Sequence, residues 1–189
     1  MPYSHFVARE RIYTKTGDDG TTGLFYGGRV RKDSELPTAY GAVDEAQAVL
    51  GVARSAARRE GDIELGELVV RLQRELYVLM AELATAPDNR HKLIDGVSRV
   101  TDAMAEDLEG LIDSFSERFA PPTEFVVPGE DLTAAYLDLG RTVVRRAERH
   151  ALAAAAAPSV VVTYLNRLSD LLWTLARWRE GTSLAARQP

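Results

Sequence analysis

The segment 65-LGELVVRLQRELYVLMAEL-83 has leucine or valine at steps of three and four residues. An α-helix turns once in about 3.6 residues, so this spacing gathers the apolar side chains on one face. The residues of that face are Leu65, Leu68, Val69, Leu72, Leu76, Leu79 and Leu83. The segment therefore predicts an amphipathic helix packed against a core.

Four further segments show the same helical spacing, and no strand-like alternation competes with it. The predicted helices span residues 34–57, 65–83, about 98–119, about 131–156 and 159–179. Five helices with short connectors predict an all-α fold, a five-helix up-and-down bundle. We expect one domain over residues 1–189, with a flexible glycine-rich leader at 1–33, the bundle at 34–179 and a frayed tail at 180–189.

The composition excludes several classes of function. A formal net charge of -5 gives no global positive field, so we expect neither nucleic acid nor a membrane as partner. The absence of cysteine removes disulfides, thiolate metal sites and a cysteine nucleophile. The first ten residues lack the apolar core of a secretory signal, and no window approaches the about 18 apolar residues that cross a bilayer. We expect a soluble cytoplasmic protein.

The leader before the first helix is dense in glycine and hydroxyl residues. In 12-IYTKTGDDGTTGLFYGGRVRKDS-34, glycines occupy positions 17, 20, 23, 27 and 28, and lysines occupy positions 15 and 32. The segment matches neither a P-loop nor a Rossmann fingerprint, because the G-x-x-x-x-G-K-[ST] pattern and the preceding strand are missing. Accessible backbone N–H groups, threonine hydroxyls and lysines suit phosphate groups. The alternative is a mobile terminus that is merely rich in glycine, and composition does not choose between the two.

The fourth predicted helix contains a cluster of arginines. In 139-LGRTVVRRAERHAL-152, Arg141, Arg145 and Glu148 share one face, and Arg146 and Arg149 lie on an adjacent one. Guanidinium groups suit phosphate because they donate two parallel hydrogen bonds. The alternative is a solvated face with an internal ion pair between Arg145 and Glu148.

Two other helices contain polar residues inside apolar runs. Asn166 lies one turn before Asp170 in the fifth helix, although asparagine is a poor residue for a helix interior. It could hydrogen-bond to a ligand or an arginine, or it could be a satisfied core residue. On the first helix, Asp44 and Glu45 could pair with an arginine of the fourth helix, within one subunit or across an interface.

Five segments, in this order along the chain, resemble one family. They are T-K-T-G-D-D-G-T-T at 14–22, G-G-R-V-x-K-D-S at 27–34, V-D-E at 43–45, R-T-V-V-R-R-A-E-R at 141–149 and Y-L-N-R-L-S-D at 164–170. Together they resemble the PduO-type ATP:cob(I)alamin adenosyltransferases, also called corrinoid adenosyltransferases. The resemblance runs from about residue 11 to residue 179.

The resemblance implies a transferase that moves the 5′-deoxyadenosyl group of ATP to the cobalt of cob(I)alamin, giving adenosylcobalamin and triphosphate. It implies a homotrimer of five-helix bundles with active sites at the subunit interfaces, and a leader that wraps ATP. A reductase and an adenosylcobalamin-dependent enzyme are further partners that it allows. By match to the family motifs, the ATP-binding residues are Thr14, Lys15, Thr16, Gly17, Thr22, Gly23, Lys32, Arg145, Arg146, Glu148, Arg149 and Asn166.

The resemblance also implies how the attacking atom, the leaving triphosphate and Mg²⁺ would be handled. The nucleophile is the cobalt of the corrinoid, so the protein needs none of its own. Arg145 would stabilise the departing triphosphate, with Lys15 and Lys32 as phosphate ligands. Mg²⁺ would be held mainly by the ATP phosphates, and no protein residue is assigned to it.

The resemblance assigns three more residues to catalysis. Arg141 and Asp44 would form an ion pair across the interface. Phe125 would displace the lower axial ligand of the corrinoid, giving a four-coordinate Co(II) that is reduced more easily. The alternative for Phe125 is a core residue packed beside Pro121 and Pro122.

Three positions depart from the family pattern. Glu130 stands where a glycine is common, Val144 where a cysteine is common, and Asp138 where a histidine is often found. By the resemblance, Glu130 and Asp138 lie near the corrinoid, so its lower face is the part of the site in question. Two other functions stay open at this point: an ATP-sensing bundle, and a corrinoid carrier, each without transferase turnover.

Overall fold

The computed structural model describes residues 12–187. The expectations for residues 1–11 and 188–189 lie outside this range. The helices are α1 (Glu35–Arg59), α2 (Ile63–Leu83), a 3₁₀ helix (Pro87–Lys92), α3 (Asp102–Ser116), α4 (Leu132–Ala154) and α5 (Val161–Glu180). The strands are β1 (Thr21–Gly23), β2 (Arg29–Arg31), β3 (Val126–Val127) and β4 (Leu184–Ala185). The predicted all-α bundle of five long helices is confirmed.

The helices pack side by side around one apolar core. α1 packs against α2 and α4, α4 packs against α5, and α5 packs against α3. The side chains of Leu72, Leu76 and Leu79 on α2 are fully buried, as the spacing of that segment predicts. Each side chain of this kind contributes about 1.5–3 kcal/mol through removal of its surface from water. The core therefore fixes the positions of α4 and α5, which contain most of the polar residues considered below.

The helix ends follow local hydrogen bonds that spacing alone does not show. α3 begins at Asp102 rather than near 98, because the Thr101 hydroxyl caps it by accepting from the Met104 N–H. The residues just before it are held elsewhere: the Val100 N–H donates to the buried Glu82 carboxylate at 2.7 Å. α2 and α4 begin after capping aspartates, Asp62 and Asp131.

The sequence predicts a frayed end after α5, but part of that end is paired. β4 lies antiparallel to β3, with Val126 opposite Ala185 and Val127 opposite Leu184. The Ala186 N–H also donates to the Phe125 carbonyl at 2.7 Å. These backbone hydrogen bonds hold the α3–α4 connector beside the end of α5. The two strands have two residues each, which is too short for a period of two to show in the sequence.

Within residues 12–187, no helix is both long and apolar enough to span a membrane.

Candidate functional site at two ends of the bundle

The leader forms a small hairpin that brings its phosphate-binding candidates together. β1 and β2 are antiparallel, with Thr22 opposite Val30 and Gly23 opposite Arg29. The Arg29 guanidinium donates to the Thr16 carbonyl and to the Thr21 hydroxyl, both at 2.6 Å. The sequence does not single out Arg29, because its role depends on the fold of the hairpin rather than on a motif.

Close approach explains one glycine of this hairpin. A Cβ at Gly17 would lie 3.0 Å from the Lys32 Nζ and 3.0 Å from the Thr21 carbonyl oxygen. Lys15 adopts a positive φ of 61°, and the hydroxyls of Thr14 and Thr16 lie 2.8 Å apart. The seven leader residues predicted to contact ATP therefore belong to one short hairpin and the residues that flank it.

The hairpin is anchored at its closed end to the connector between α2 and α3. The Phe25 N–H donates to the Ala84 carbonyl at 2.9 Å, and the Asn89 amide donates to the Gly27 carbonyl at 3.3 Å. The Tyr26 hydroxyl lies 3.3 Å from the Ser98 hydroxyl. By contrast, the side-chain hydrogen bonds of the threonines at 14, 16 and 21 stay inside the leader.

The arginines of α4 do not form the ion pair within the helix that their spacing allows. Arg145 is exposed, and its side chain makes no hydrogen bond or ion pair within residues 12–187. The ion pair considered between Arg145 and Glu148 is not formed. Arg149 donates to the Arg145 carbonyl at 3.0 Å, and Arg146 pairs with Glu45 of α1. Arg145 is thus a cation available to a ligand.

Glu148 instead belongs to a polar chain that links α4, α5 and α3. The Asn166 amide donates to the Glu148 carboxylate at 3.0 Å, and Arg167 donates to the Asn166 side-chain oxygen at 2.8 Å. Arg167 also donates to Glu109 at 2.6 Å, and this hydrogen bond raises the pKa of the Arg167 guanidinium. Asn166 is therefore a partly buried residue with both functions of its amide satisfied.

Asp44 and Arg141 do not contact one another within one chain. Asp44 is exposed and has no partner among the described residues. Arg141 pairs with Asp138, three residues earlier on α4, through Nε at 3.0 Å. The predicted pair between Asp44 and Arg141 would need a second copy of the chain.

A cleft of about 840 Å³ lies beside the first half of α4, away from Arg145 and Arg149. Its lining includes Phe125, Asp138, Arg141, Trp173 and Arg177, together with parts of the α3–α4 connector and the tail. The Phe125 side chain is 86% exposed. The alternative that Phe125 is a core residue is therefore wrong for the described chain. It presents an apolar ring to the cleft.

Further charged residues lie in and beside the wall of this cleft, and the sequence does not reveal their connection. Asp138 holds Arg141 through one oxygen and Arg177 through the other, the latter at 2.5 Å. Arg177 also pairs with Glu180 at 2.8 Å. Burial raises the pKa of Glu180, while the charge of Arg177 opposes that rise. The sequence signals of this group are weak: a spacing of three between Asp138 and Arg141, and two charges at the end of an apolar helix.

The comparisons with known proteins agree with one another. Residues 12–179 match the family model described as cobalamin adenosyltransferase. The chain is 40% identical over 175 residues to a corrinoid adenosyltransferase of Citrobacter freundii, covering 91% of this chain and 96% of the relative. It is 38% identical over 187 residues to one of Mycobacterium tuberculosis, covering 90% and 94%.

Solved structures show the same similarity. One is a variant PduO-type ATP:corrinoid adenosyltransferase from Lactobacillus reuteri, with alanine in place of a phenylalanine, complexed with cobalamin and ATP. It superposes with a TM-score of 0.83 at 27% identity, over 94% of this chain and 100% of that one. A variant of the same relative with lysine in place of an arginine, complexed with ATP, has a TM-score of 0.79 at 26% identity, over 93% and 100%.

Proposed function

The chain belongs to the cobalamin adenosyltransferase family, and we infer that it transfers the 5′-deoxyadenosyl group of ATP to the cobalt of cob(I)alamin. The products are adenosylcobalamin and triphosphate. The observation that carries this conclusion is the extent of the family match. It covers the leader hairpin, the arginines of α4 and the connector with Phe125, so both ends of the site lie inside it.

The reaction is a substitution at the 5′ carbon of the ribose. The Co(I) electron pair forms the Co–C5′ bond, the C5′–O5′ bond breaks, and triphosphate leaves with that bonding pair. The attacking atom belongs to the corrinoid substrate, so the chain needs no nucleophilic side chain, and it contains no cysteine. Its work is to align the two substrates and to stabilise the departing negative charge.

The ATP end of the site is formed, in this proposal, by the leader hairpin and α4. Arg145 interacts with the departing triphosphate, and Lys15 and Lys32 bind phosphate oxygens. The absence of any side-chain partner for Arg145 in the described chain supports this role. The remaining contacts would come from Thr14, Thr16, Gly17, Thr22, Gly23, Arg146, Glu148, Arg149 and Asn166.

Mg²⁺ belongs to the same proposal. Among the residues that the structure describes, no group of three or more His, Cys, Asp or Glu side chains is placed to hold a metal ion. Triphosphate oxygens and water would therefore supply its ligands, as is usual for Mg²⁺ with nucleotides. When bound, the ion neutralises charge on the leaving group.

The corrinoid end is formed by the cleft. The exposed ring of Phe125 displaces the lower axial ligand, which makes Co(II) easier to reduce before the transfer. Asp44, exposed and without a partner in the described chain, pairs with Arg141 of a second copy. This pairing fits a homotrimer with sites between subunits, the assembly that the family resemblance implies. The partners of the enzyme in this proposal are a reductase and an adenosylcobalamin-dependent enzyme. Its location is the cytoplasm, because a chain without cysteine suits a reducing compartment.

An absorbance assay tests this function. Protein, ATP and Mg²⁺ are mixed with cob(I)alamin produced by a chemical reductant, and the spectrum of adenosylcobalamin is followed over time. We expect product formation that requires both the protein and ATP. Binding of ATP without product would indicate a sensor, and binding of corrinoid independent of ATP and without product would indicate a carrier. Either result refutes the transferase.

A further inference from the structure

Four side chains of alternating charge run from the interior to the wall of the cleft. Glu180 at the end of α5 pairs with Arg177 at 2.8 Å, and Arg177 pairs with Asp138 of α4 at 2.5 Å. Asp138 in turn pairs with Arg141 at 3.0 Å. The series joins two helices, and all of its members except Glu180 line the cleft.

The series is buried except at its last member. The side chains of Glu180, Arg177 and Asp138 are 0%, 2% and 5% exposed, and that of Arg141 is 28% exposed. Removing charges from water is unfavourable, and buried ion pairs often add little net stability compared with apolar residues of similar size. Stability is therefore a weak explanation for keeping this group. Holding one side chain in a fixed orientation is a better one.

The contacts of Asp138 are suited to such a role. Its Oδ2 accepts from Arg177 and its Oδ1 accepts from the Nε of Arg141, so the two oxygens are engaged by residues of different helices. Arg141 is held by Nε alone, and its two terminal amino groups make no hydrogen bond within residues 12–187. A guanidinium fixed at Nε still has an NH₂ pair with which to bind an oxygen acceptor in planar geometry.

We propose that Asp138 is a positioning residue: held by Arg177, it fixes Arg141 so that the free amino groups can meet Asp44 of a second copy at the corrinoid side of the site. This inference rests on the proposed function. Asp138 borders the cleft, but both of its oxygens are engaged by arginines, so it acts through Arg141. Its loss is therefore expected to affect the corrinoid constants and kcat, and to leave the KM for ATP unchanged, because the ATP residues lie on the leader and farther along α4.

A double-mutant cycle tests the coupling. Asp138→Asn keeps the shape of the side chain and removes its charge, and Arg141→Lys keeps a charge and removes Nε and the planar fork. We expect each single change to lower kcat/KM for cob(I)alamin roughly tenfold. The double variant should be no worse than the worse single one, since the two residues act as a unit. Losses that multiply in the double variant would overturn the inference.

Glu75→Gln is the matched control, because Glu75 is a carboxylate that is also largely shielded from solvent and has an arginine partner. It pairs with Arg71 at 2.9 Å and accepts from the Tyr164 hydroxyl at 2.6 Å, outside the cleft. We expect Glu75→Gln, like Asp138→Asn, to lower Tm, but without changing the KM for cob(I)alamin. If Asp138→Asn and Glu75→Gln show the same kinetic profile, the role of Asp138 is structural and the inference fails.

Asp138→Glu covers the case in which the asparagine variant does not fold. It keeps the charge but moves the carboxylate by one methylene, so we expect a smaller loss confined to the corrinoid constants. A rise in the KM for ATP instead would overturn the inference. Wild-type protein without any turnover would refute the proposed function itself, whereas normal wild-type turnover with multiplicative losses would refute only the role of Asp138.

Discussion

Arg145 and Asp138 lie on the same helix, but only the first has a role that the local sequence indicates. Arg145 stands in a run of arginines, a pattern typical of an anion site. Asp138 is an isolated aspartate whose second partner, Arg177, lies 39 residues away on another helix. Residue-scale prediction therefore has a signal to use where the chemistry is repeated locally. It fails for pairs that only the packing of helices brings together.

Replacement of Arg145 by alanine tests its role with the leaving group. We expect kcat to fall about 100-fold to 1,000-fold, since a charge that stabilises the transition state is lost. Because the side chain is exposed and unpaired in the described chain, Tm should change by less than about 2 °C. Steady-state kinetics and thermal melts provide the two measurements. Arg74 is also exposed but lies on α2, so Arg74→Ala is the control and should retain full activity.

Phe125→Ala separates the reduction step from the transfer step. The Phe125 ring is exposed in the cleft, and removing it should slow the assay that starts from Co(II) by about tenfold or more. The assay that starts from chemically prepared Co(I) should be much less affected, because no axial ligand has to be displaced. The ratio of the two losses is the measured quantity. Equal losses would remove Phe125 from the ligand-displacement step.

At the scale of elements, the long helices are predictable and the short pieces are not. Repeated apolar spacing places α1, α2, α4 and α5 within two residues of their observed ends. The hairpin β1–β2 has three residues in each strand, and β3 and β4 have two each. Such strands arise from backbone hydrogen bonds between separate segments, which leave no periodic signal. The family resemblance of the leader predicts ATP binding, but not a hairpin anchored on the α2–α3 connector.

The tight turn of the leader gives a prediction about ATP binding. Gly17→Ala would place a methyl group 3.0 Å from the Thr21 carbonyl oxygen, a backbone atom that cannot move alone. We expect the hairpin to shift and the KM for ATP to rise roughly tenfold, with little change in Tm. Gly110→Ala on α3 adds a methyl group where nothing lies within 4 Å and serves as control. Unchanged ATP kinetics in Gly17→Ala would show that the turn is not part of the ATP site.

An ion-pair cluster joins three elements and gives a prediction about pH. The Glu60 carboxylate accepts from Arg179 at 2.5 Å and from the Thr133 hydroxyl at 3.0 Å, and the hydrogen bond from Arg179 lowers the pKa of Glu60 below its ordinary 4.5. This stabilisation is therefore present above pH 4.5 and is lost as the pH falls through the folded-state pKa.

Glu60→Gln should accordingly lower the free energy of unfolding by about 0.5–1 kcal/mol near neutral pH. The difference from wild type should disappear on acidification, when the wild-type carboxylate is protonated as well. Urea unfolding at neutral and acidic pH measures both values. A difference that stays constant across this range would contradict the assigned pair.

At the scale of the whole molecule, one chain contains both ends of the proposed site, but some charged groups of its described residues have no partner. Asp44 is exposed and unpaired in the described part of the chain, and Arg141 keeps two free amino groups. A second copy would complete these contacts, which is the physical content of the proposed trimer. The helical spacing of the sequence could not predict this, because an interface leaves no period of its own. The expectation of a trimer comes from the family resemblance.

The stoichiometry of the products tests the central claim most directly. Purified protein is incubated with ATP, Mg²⁺ and excess cob(I)alamin, and adenosylcobalamin and triphosphate are quantified together by chromatography and mass spectrometry. We expect the two products in equal amounts, with the 5′ carbon of ATP bonded to cobalt. Release of ADP or orthophosphate as the main product, or no cobalt–carbon bond after complete consumption of ATP, would contradict transfer of the adenosyl group.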